Sequence, residues 1–265
     1  MPSFQFQIKK LYLLFGNKLH SRNTKPISTM KKLKSNETRA KIAITLIWIV
    51  MAFEIISLIS GYLQYDLLQS AAKGEVISMD VATANDIREQ IVALVYMIVF
   101  IISGITFILW FRRAYYNLHQ KIKYLSHPEG WAAGAWFVPI INLFRPCIIM
   151  IELYQETQKL LLKKGLISSQ RLKKGIVGLW WTLWIISTIV GQIIFQYSMK
   201  EGELDDLIFT TIAGIVMNVI GIPLALITIK IIKDYAKVEP LLFKIDDEEK
   251  TITPNIGSST TLLDD

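Results

Sequence analysis

The chain has 265 residues, of which 52% are hydrophobic, and its mean hydropathy is +0.39. Together with several long apolar runs, this composition excludes an ordinary soluble core and predicts one all-α integral membrane domain. The net charge of +7 comes from basic residues that flank the apolar runs, which predicts membrane orientation and contact with anionic lipid headgroups and argues against nucleic-acid binding.

Residues 1–40 are predicted to be a basic cytoplasmic tail, because their many lysines and arginines face a single acidic residue, Glu37. The apolar patch at residues 11–15 is too short for the core of a signal peptide, so the first span should be an uncleaved anchor. Met30 opens a second basic stretch and is an alternative translation start.

The predicted membrane domain at residues 41–237 holds four transmembrane helices, each long enough to cross the hydrocarbon layer. These spans are predicted at about residues 42–62, 91–111, 175–197 and 207–232. The acidic connection at residues 64–90 is expected outside the cell, which places both termini in the cytoplasm. The tail at residues 238–265 is predicted to be a disordered cytoplasmic tether.

Residues 131–150, WAAGAWFVPIINLFRPCIIM, are apolar but cannot form one regular helix. Pro139 and Pro146 each remove a backbone donor and disfavour a helical residue before them, which predicts a bend between the two prolines. Pro146 is well placed as the first residue of a following helix. Basic residues flank both sides, so we expect a Pro-broken re-entrant or interfacial element between the second and third spans.

Glu54 lies twelve residues into the first span, which puts it near the middle of the bilayer. A carboxyl group there is costly, so it is either a functional site or a protonated group that fixes helix packing through a hydrogen bond. Five polar residues of the other spans fall at similar heights and are candidates for one polar layer with Glu54: Ser103, Thr106, Ser187, Thr188 and Asn218.

Small residues recur on one face of the fourth span at Gly214, Asn218, Gly221 and Ala225. This spacing is typical of membrane helices whose backbones approach closely. Packing accounts for the stripe without any substrate.

Polar and aromatic residues of the broken element are further candidates. Asn142 is expected to tie down the bend, and Arg145 to reach a phosphate headgroup; alternatively both line a cavity. Arg112, Arg113 and Glu152 are predicted to form a charge network at the cytoplasmic surface. Six tryptophans are predicted to be interfacial or packing aromatics: Trp110, Trp131, Trp136, Trp180, Trp181 and Trp184.

Three stretches resemble one family of bacterial membrane proteins: WFRRAYYNL at residues 110–118, EGWAAGAWFVPIINLFRP at residues 129–146, and Glu152 with the leucine after it. Together they are similar to the multi-pass proteins that carry domain of unknown function 4328. Their residue pattern and loop spacing are like those of Bacteroidetes-type members. Cys147 stands where an aromatic residue is usual. The resemblance implies an inner-membrane protein and no particular activity, because none is established for the family.

The chain has no HExxH, GxSxG, Walker A or GxGxxG stretch, so no enzyme, metal or cofactor is expected. We therefore expect a non-enzymatic scaffold, or a membrane protein that contacts lipid, a protein partner or a second copy of itself. The alternative is a small-solute or ion transporter or channel that uses Glu54 and the broken element.

Overall fold

The computed structural model describes residues 32–199 and 203–245, and the described residues from Leu33 onward belong to one compact unit. These residues form helices and no strand, which confirms the predicted all-α class. The helices are α1 (Glu37–Ala72), α2 (Met79–Lys121), α3 (Trp131–Gly134), α4 (Arg145–Lys163), α5 (Lys174–Ser198) and α6 (Leu204–Val238), with a 3-10 turn at Ile141–Leu143.

Four of these helices, α1, α2, α5 and α6, are long and apolar enough to cross a membrane, which confirms the predicted number of spans. Many of their large apolar side chains are exposed, such as Ile59, Ile91 and Val219. A helix whose apolar side chains face outward is suited to lipid.

The spans are longer than predicted, and the segment at residues 64–90 is mostly helical rather than a loop. Only residues 73–78 separate α1 from α2. Gly74 turns the chain there with φ 83°, and the Ser78 hydroxyl caps α2 by accepting a hydrogen bond from the Val81 amide at 3.4 Å. The polar residues beyond the apolar runs therefore extend the helices past the hydrocarbon layer.

The bundle core lies where α6 packs against α1 and α5, and α1 against α2. We call the end of the bundle at which α1 begins and α2 and α6 end the basic end. Helix α4 packs there, and the Tyr154 hydroxyl donates to the Ile231 carbonyl at 2.7 Å. The fully buried side chains at this end include Trp110, Phe111, Tyr115, Leu118, Ile149, Met150, Leu153, Tyr154, Ile231, Ile232 and Tyr235.

The described residues of the two predicted tails pack on the bundle. Leu33 is buried four residues before α1 begins, and residues 241–245 form a further helical turn after α6. Leu242 and Ile245, one turn apart, bury their side chains completely or nearly so, because their shared apolar face packs on the core. The rest of the tails, with Met30 and residues 11–15, lies outside the described residues.

Candidate functional site

The broken element bends where the prolines predict. The backbone amide of Asn142 donates to the Val138 carbonyl at 2.9 Å, within the turn that contains Pro139. Helix α4 begins at Arg145, one residue earlier than expected, and Pro146 occupies its first turn. A proline costs nothing there, because the first amides of a helix have no intrahelical partner.

An apolar tip, defined by Phe137, Ile140, Leu143 and Phe144, projects from this bend. Ile140 has φ 67° and Phe137 and Ile140 are 74% and 76% exposed. The ψ of Ile140 is −50°, and the Ile141 amide donates to the Pro139 carbonyl at 2.7 Å, so Ile140 is the central residue of a γ-turn with positive φ, which is rare and strained. A positive φ is also unusual for a β-branched side chain. The element thus holds a strained backbone that leaves large apolar side chains uncovered, which suits contact with the acyl chains of a bilayer.

Arg145 stacks on Trp131, with its guanidinium carbon 4.2 Å from the ring centroid. Within the described chain, Arg145 Nε and Asn142 Oδ1 are buried without a hydrogen-bond partner. The Asn142 side-chain oxygen therefore does not tie down the bend; its backbone amide does. An open groove of about 320 Å³ lies beside Trp131 and is lined by Pro128, Gly130, Trp131, Gly134 and Val138.

Tryptophans pack the broken element against the spans, which agrees with their predicted role as packing aromatics. The Trp181 indole N–H donates to the Leu143 carbonyl at 3.1 Å. The Trp136 ring lies 5.8–6.3 Å from the rings of Phe107, Trp180, Trp181 and Trp184. Aromatic contacts of this kind contribute beyond their buried area, and they hold the element against α2 and α5.

Glu152 does not join the arginines, which corrects the predicted charge network. It accepts hydrogen bonds from the Tyr115 hydroxyl at 2.6 Å and from the Ser126 backbone amide at 2.7 Å, and His127 Nδ1 lies 3.9 Å away. Burial raises the pKa of Glu152, but the neighbouring His127 ring and the hydrogen bonds from Tyr115 and Ser126 outweigh it and lower the pKa to about 2.

The arginines form a separate basic cluster, which we define as Lys34, Arg39, Arg112 and Arg113. The Lys34 ammonium and the Arg113 guanidinium lie 5.1 and 6.0 Å from the Tyr116 ring centroid. Arg39 donates to the Leu109 carbonyl at 3.0 Å and is close enough to Arg112 and Arg113 to be repelled by both. Like charges gathered at the basic end favour an anionic partner.

Glu54 pairs with a residue that the sequence analysis missed. The Tyr96 hydroxyl donates to Glu54 Oε1 at 2.8 Å, and Glu54 Oε2 is buried without a partner in the described chain. The partner of Glu54 therefore does not come from the predicted polar layer. Thr106 and Thr188 donate to carbonyls of their own helices, and Asn218 is partly buried on α6. Tyr96 is the only ionisable side chain at residues 91–111, which was the available signal.

The close approach predicted for the small-residue stripe of α6 occurs at Gly221 but not at Gly214, where a Cβ would meet no atom of the described residues within 4 Å. A Cβ at Gly221 would collide with the Glu54 carboxyl. Ala225, one turn further along, is 6% exposed. A larger residue at this position would therefore force the Glu54 side chain to move.

A second buried carboxyl joins distant parts of the chain in what we call the polar knot: the Lys34 backbone, Asn36, Asn117 and Glu239. The Asn117 amide exchanges two hydrogen bonds with the Lys34 backbone and donates to Glu239 Oε1 at 2.8 Å. Asn36 donates to Glu239 Oε2 at 3.1 Å. The sequence gives no periodic signal for this contact, because its members are separated by many residues.

A match to the family described as domain of unknown function (DUF4328) covers residues 73–237, more than half of the chain. No curated protein and no solved structure matches it. The matched range runs from the connection before α2 to the end of α6, and it contains the broken element, Glu152 and the stripe of α6. The chain therefore belongs to the family of proteins with domain of unknown function 4328.

Proposed function

We propose that the broken element is a re-entrant or interfacial segment that binds anionic lipid headgroups, in a non-enzymatic protein of the bacterial inner membrane with cytoplasmic termini. The stacking of Arg145 on Trp131 is the observation that supports this best. Stacking occupies only the face of a guanidinium, so its terminal N–H groups at the edge can still donate to the oxygens of a phosphate.

The surroundings of Arg145 fit a lipid better than a soluble ligand. The apolar tip is exposed in the same element, so acyl chains and headgroup could be contacted together. The groove beside Trp131 is open rather than enclosed, and the basic cluster adds positive charge at the same end of the bundle. Each basic side chain near an anionic membrane surface contributes about 1 kcal/mol to binding.

Lipid binding predicts a measurable loss in Arg145→Gln. Titrating the full-length protein in detergent with phosphatidylglycerol or phosphatidylcholine, and following lipid retention by native mass spectrometry, measures the preference for the anionic lipid. We expect Arg145→Gln to weaken phosphatidylglycerol binding about fivefold, because roughly 1 kcal/mol is lost. Adding Arg112→Gln and Arg113→Gln should weaken it further.

Arg171→Gln is the matched control, because this exposed arginine lies between α4 and α5 and its loss changes the net charge equally. It should retain the wild-type preference. Equal binding by the Arg145→Gln and Arg171→Gln variants would contradict the lipid site and would favour a protein partner or a second copy of the chain as the occupant of the tip.

The re-entrant arrangement predicts that both flanks of the broken element lie on one side of the membrane. Reporter fusions placed after Lys123 and after Lys164 should give signals from the cytoplasm, and a fusion after Gly74 should give the opposite signal. Opposite signals from the first two fusions would mean that residues 131–150 cross the membrane, against the orientation that the basic flanks favour.

A small-solute or ion transporter or channel is the alternative function. The buried carboxyl of Glu54, with one oxygen unpartnered in the described chain, is the observation that favours it.

A further inference from the structure

Glu54 is isolated among apolar residues. The parts of the four spans at residues 42–65, 90–111, 175–198 and 207–229 contain no other Asp, Glu, Lys, Arg or His. Its side chain is nine-tenths buried or more, since the residue is only 5% exposed. The helices packed against it present Tyr96 from α2, which is titratable, and Gly221 from α6, which is not.

We infer that Glu54 is a proton-binding site that exchanges its proton with water at the end of the bundle opposite the basic end. An unpaired carboxylate in apolar surroundings is too costly to persist, so the group takes up a proton. Tyr96 donates to Oε1, which leaves Oε2, the oxygen without a partner in the described chain, as the atom that carries the proton.

The ligand is a proton rather than a metal ion, because the site offers too few oxygens. Ca²⁺ and Mg²⁺ take six or more oxygen ligands, whereas the groups that meet at Glu54 are its own carboxyl and the Tyr96 hydroxyl. No group of three or more His, Cys, Asp or Glu suited to a metal ion occurs in the described part of the chain. A proton needs only the one oxygen.

On α1, buried polar residues lead from Glu54 toward one end only, the end at which α1 connects to α2. Ser60 lies six residues, or about 9 Å, further along α1 and is 4% exposed. It donates to Glu89 Oε1, and Arg88 Nε donates to Ser60 at 3.0 Å. The side chains of Arg88 and Glu89 are 35% and 30% exposed, so this cluster reaches water.

Toward the basic end, the buried positions of α1 carry only apolar side chains. They are Val50, Ile47, Ala43 and Ala40, each 7% exposed or less. Water has no polar partner along this face. The buried face of α1 is thus polar on one side of Glu54 and apolar on the other, which gives the exchange its direction.

Dicyclohexylcarbodiimide tests the proton, because it reacts with a protonated carboxyl in apolar surroundings. The carboxyl proton moves to a carbodiimide nitrogen, the carboxyl oxygen bonds to the central carbon, and the acyl group then shifts to nitrogen as a stable N-acylurea. With the full chain in lipid vesicles at neutral pH, mass spectrometry should locate the adduct on Glu54, and Glu54→Gln should lose it.

Glu152 is the internal control, because its low pKa keeps it ionised and unreactive at neutral pH. Labelling of Glu54 should also decline as the pH is raised. A wild-type protein without adduct on Glu54, or with as much on Glu152, would overturn the proton site.

Glu54→Cys in a Cys147→Ser background tests the direction of access, with Val50→Cys, one turn nearer the basic end, as its matched control. An impermeant methanethiosulfonate is applied to either face of oriented vesicles. We expect Glu54→Cys to react from the side of the α1–α2 connection and Val50→Cys to react from neither side. Reaction of Glu54→Cys from the basic end, or from neither side, would overturn the one-sided path. The carbodiimide result does not depend on the folding of these variants.

Discussion

Replacing Asn117 by alanine should destabilise the protein by about 3–5 kcal/mol, the largest effect that we expect from a single change. Asn117 is fully buried, and its amide exchanges hydrogen bonds with the Lys34 backbone and donates to Glu239. The alanine variant removes two part-buried hydrogen bonds to the Lys34 backbone and leaves the buried carboxyl of Glu239 without the shorter of its bonds. Each buried polar group without a partner costs about 1–3 kcal/mol.

Denaturant unfolding in detergent micelles, followed by tryptophan fluorescence, measures this loss. Gln120→Ala is the matched control, because Gln120 lies one turn along the same helix and its side chain donates to the Tyr116 carbonyl of its own preceding turn. It should cost no more than about 1 kcal/mol. If Asn117→Ala unfolded as late as Gln120→Ala, the polar knot would not be a stabilising contact.

Acidification should remove about 3 kcal/mol of stability through Glu152. The pKa of this carboxyl is about 2 in the folded protein, below the ordinary value of 4.5. A lowered folded pKa stabilises the protein fully above the unfolded pKa, and this stabilisation is lost as the pH falls through the folded pKa. The loss attributable to Glu152 should therefore occur between about pH 4.5 and pH 2.

Glu152→Gln isolates that contribution. The variant should be less stable than the wild-type protein at neutral pH, and the difference should shrink toward zero as the pH falls to 2. Glu156→Gln, one turn along α4 in a solvent-exposed pair with Lys159, should change stability little at any pH. A Glu152→Gln difference that stayed constant across the whole pH range would contradict the low pKa.

The sequence determined the features that depend on one segment at a time. The apolar length of about 20 residues that crosses a bilayer is a property of each span alone, so four spans were predictable. Pro139 and Pro146 act on their neighbouring residues, so the bend was predictable as well. The close contact at Gly221 was predictable too, because small residues recur on one face of that helix.

Only the tertiary structure decided which side chains meet. The contact of Glu54 with Tyr96 depends on the rotation of α1 and α2 about their axes, and depth matching alone does not give that rotation. Glu152 meets Tyr115 because α4 packs beside α2 at the basic end. The order of residues 238–245 depends on Asn36 and Asn117, 203 and 122 residues away from Glu239 in the chain. Contacts at such separation are set by how the helices pack together, which no local pattern of residues encodes.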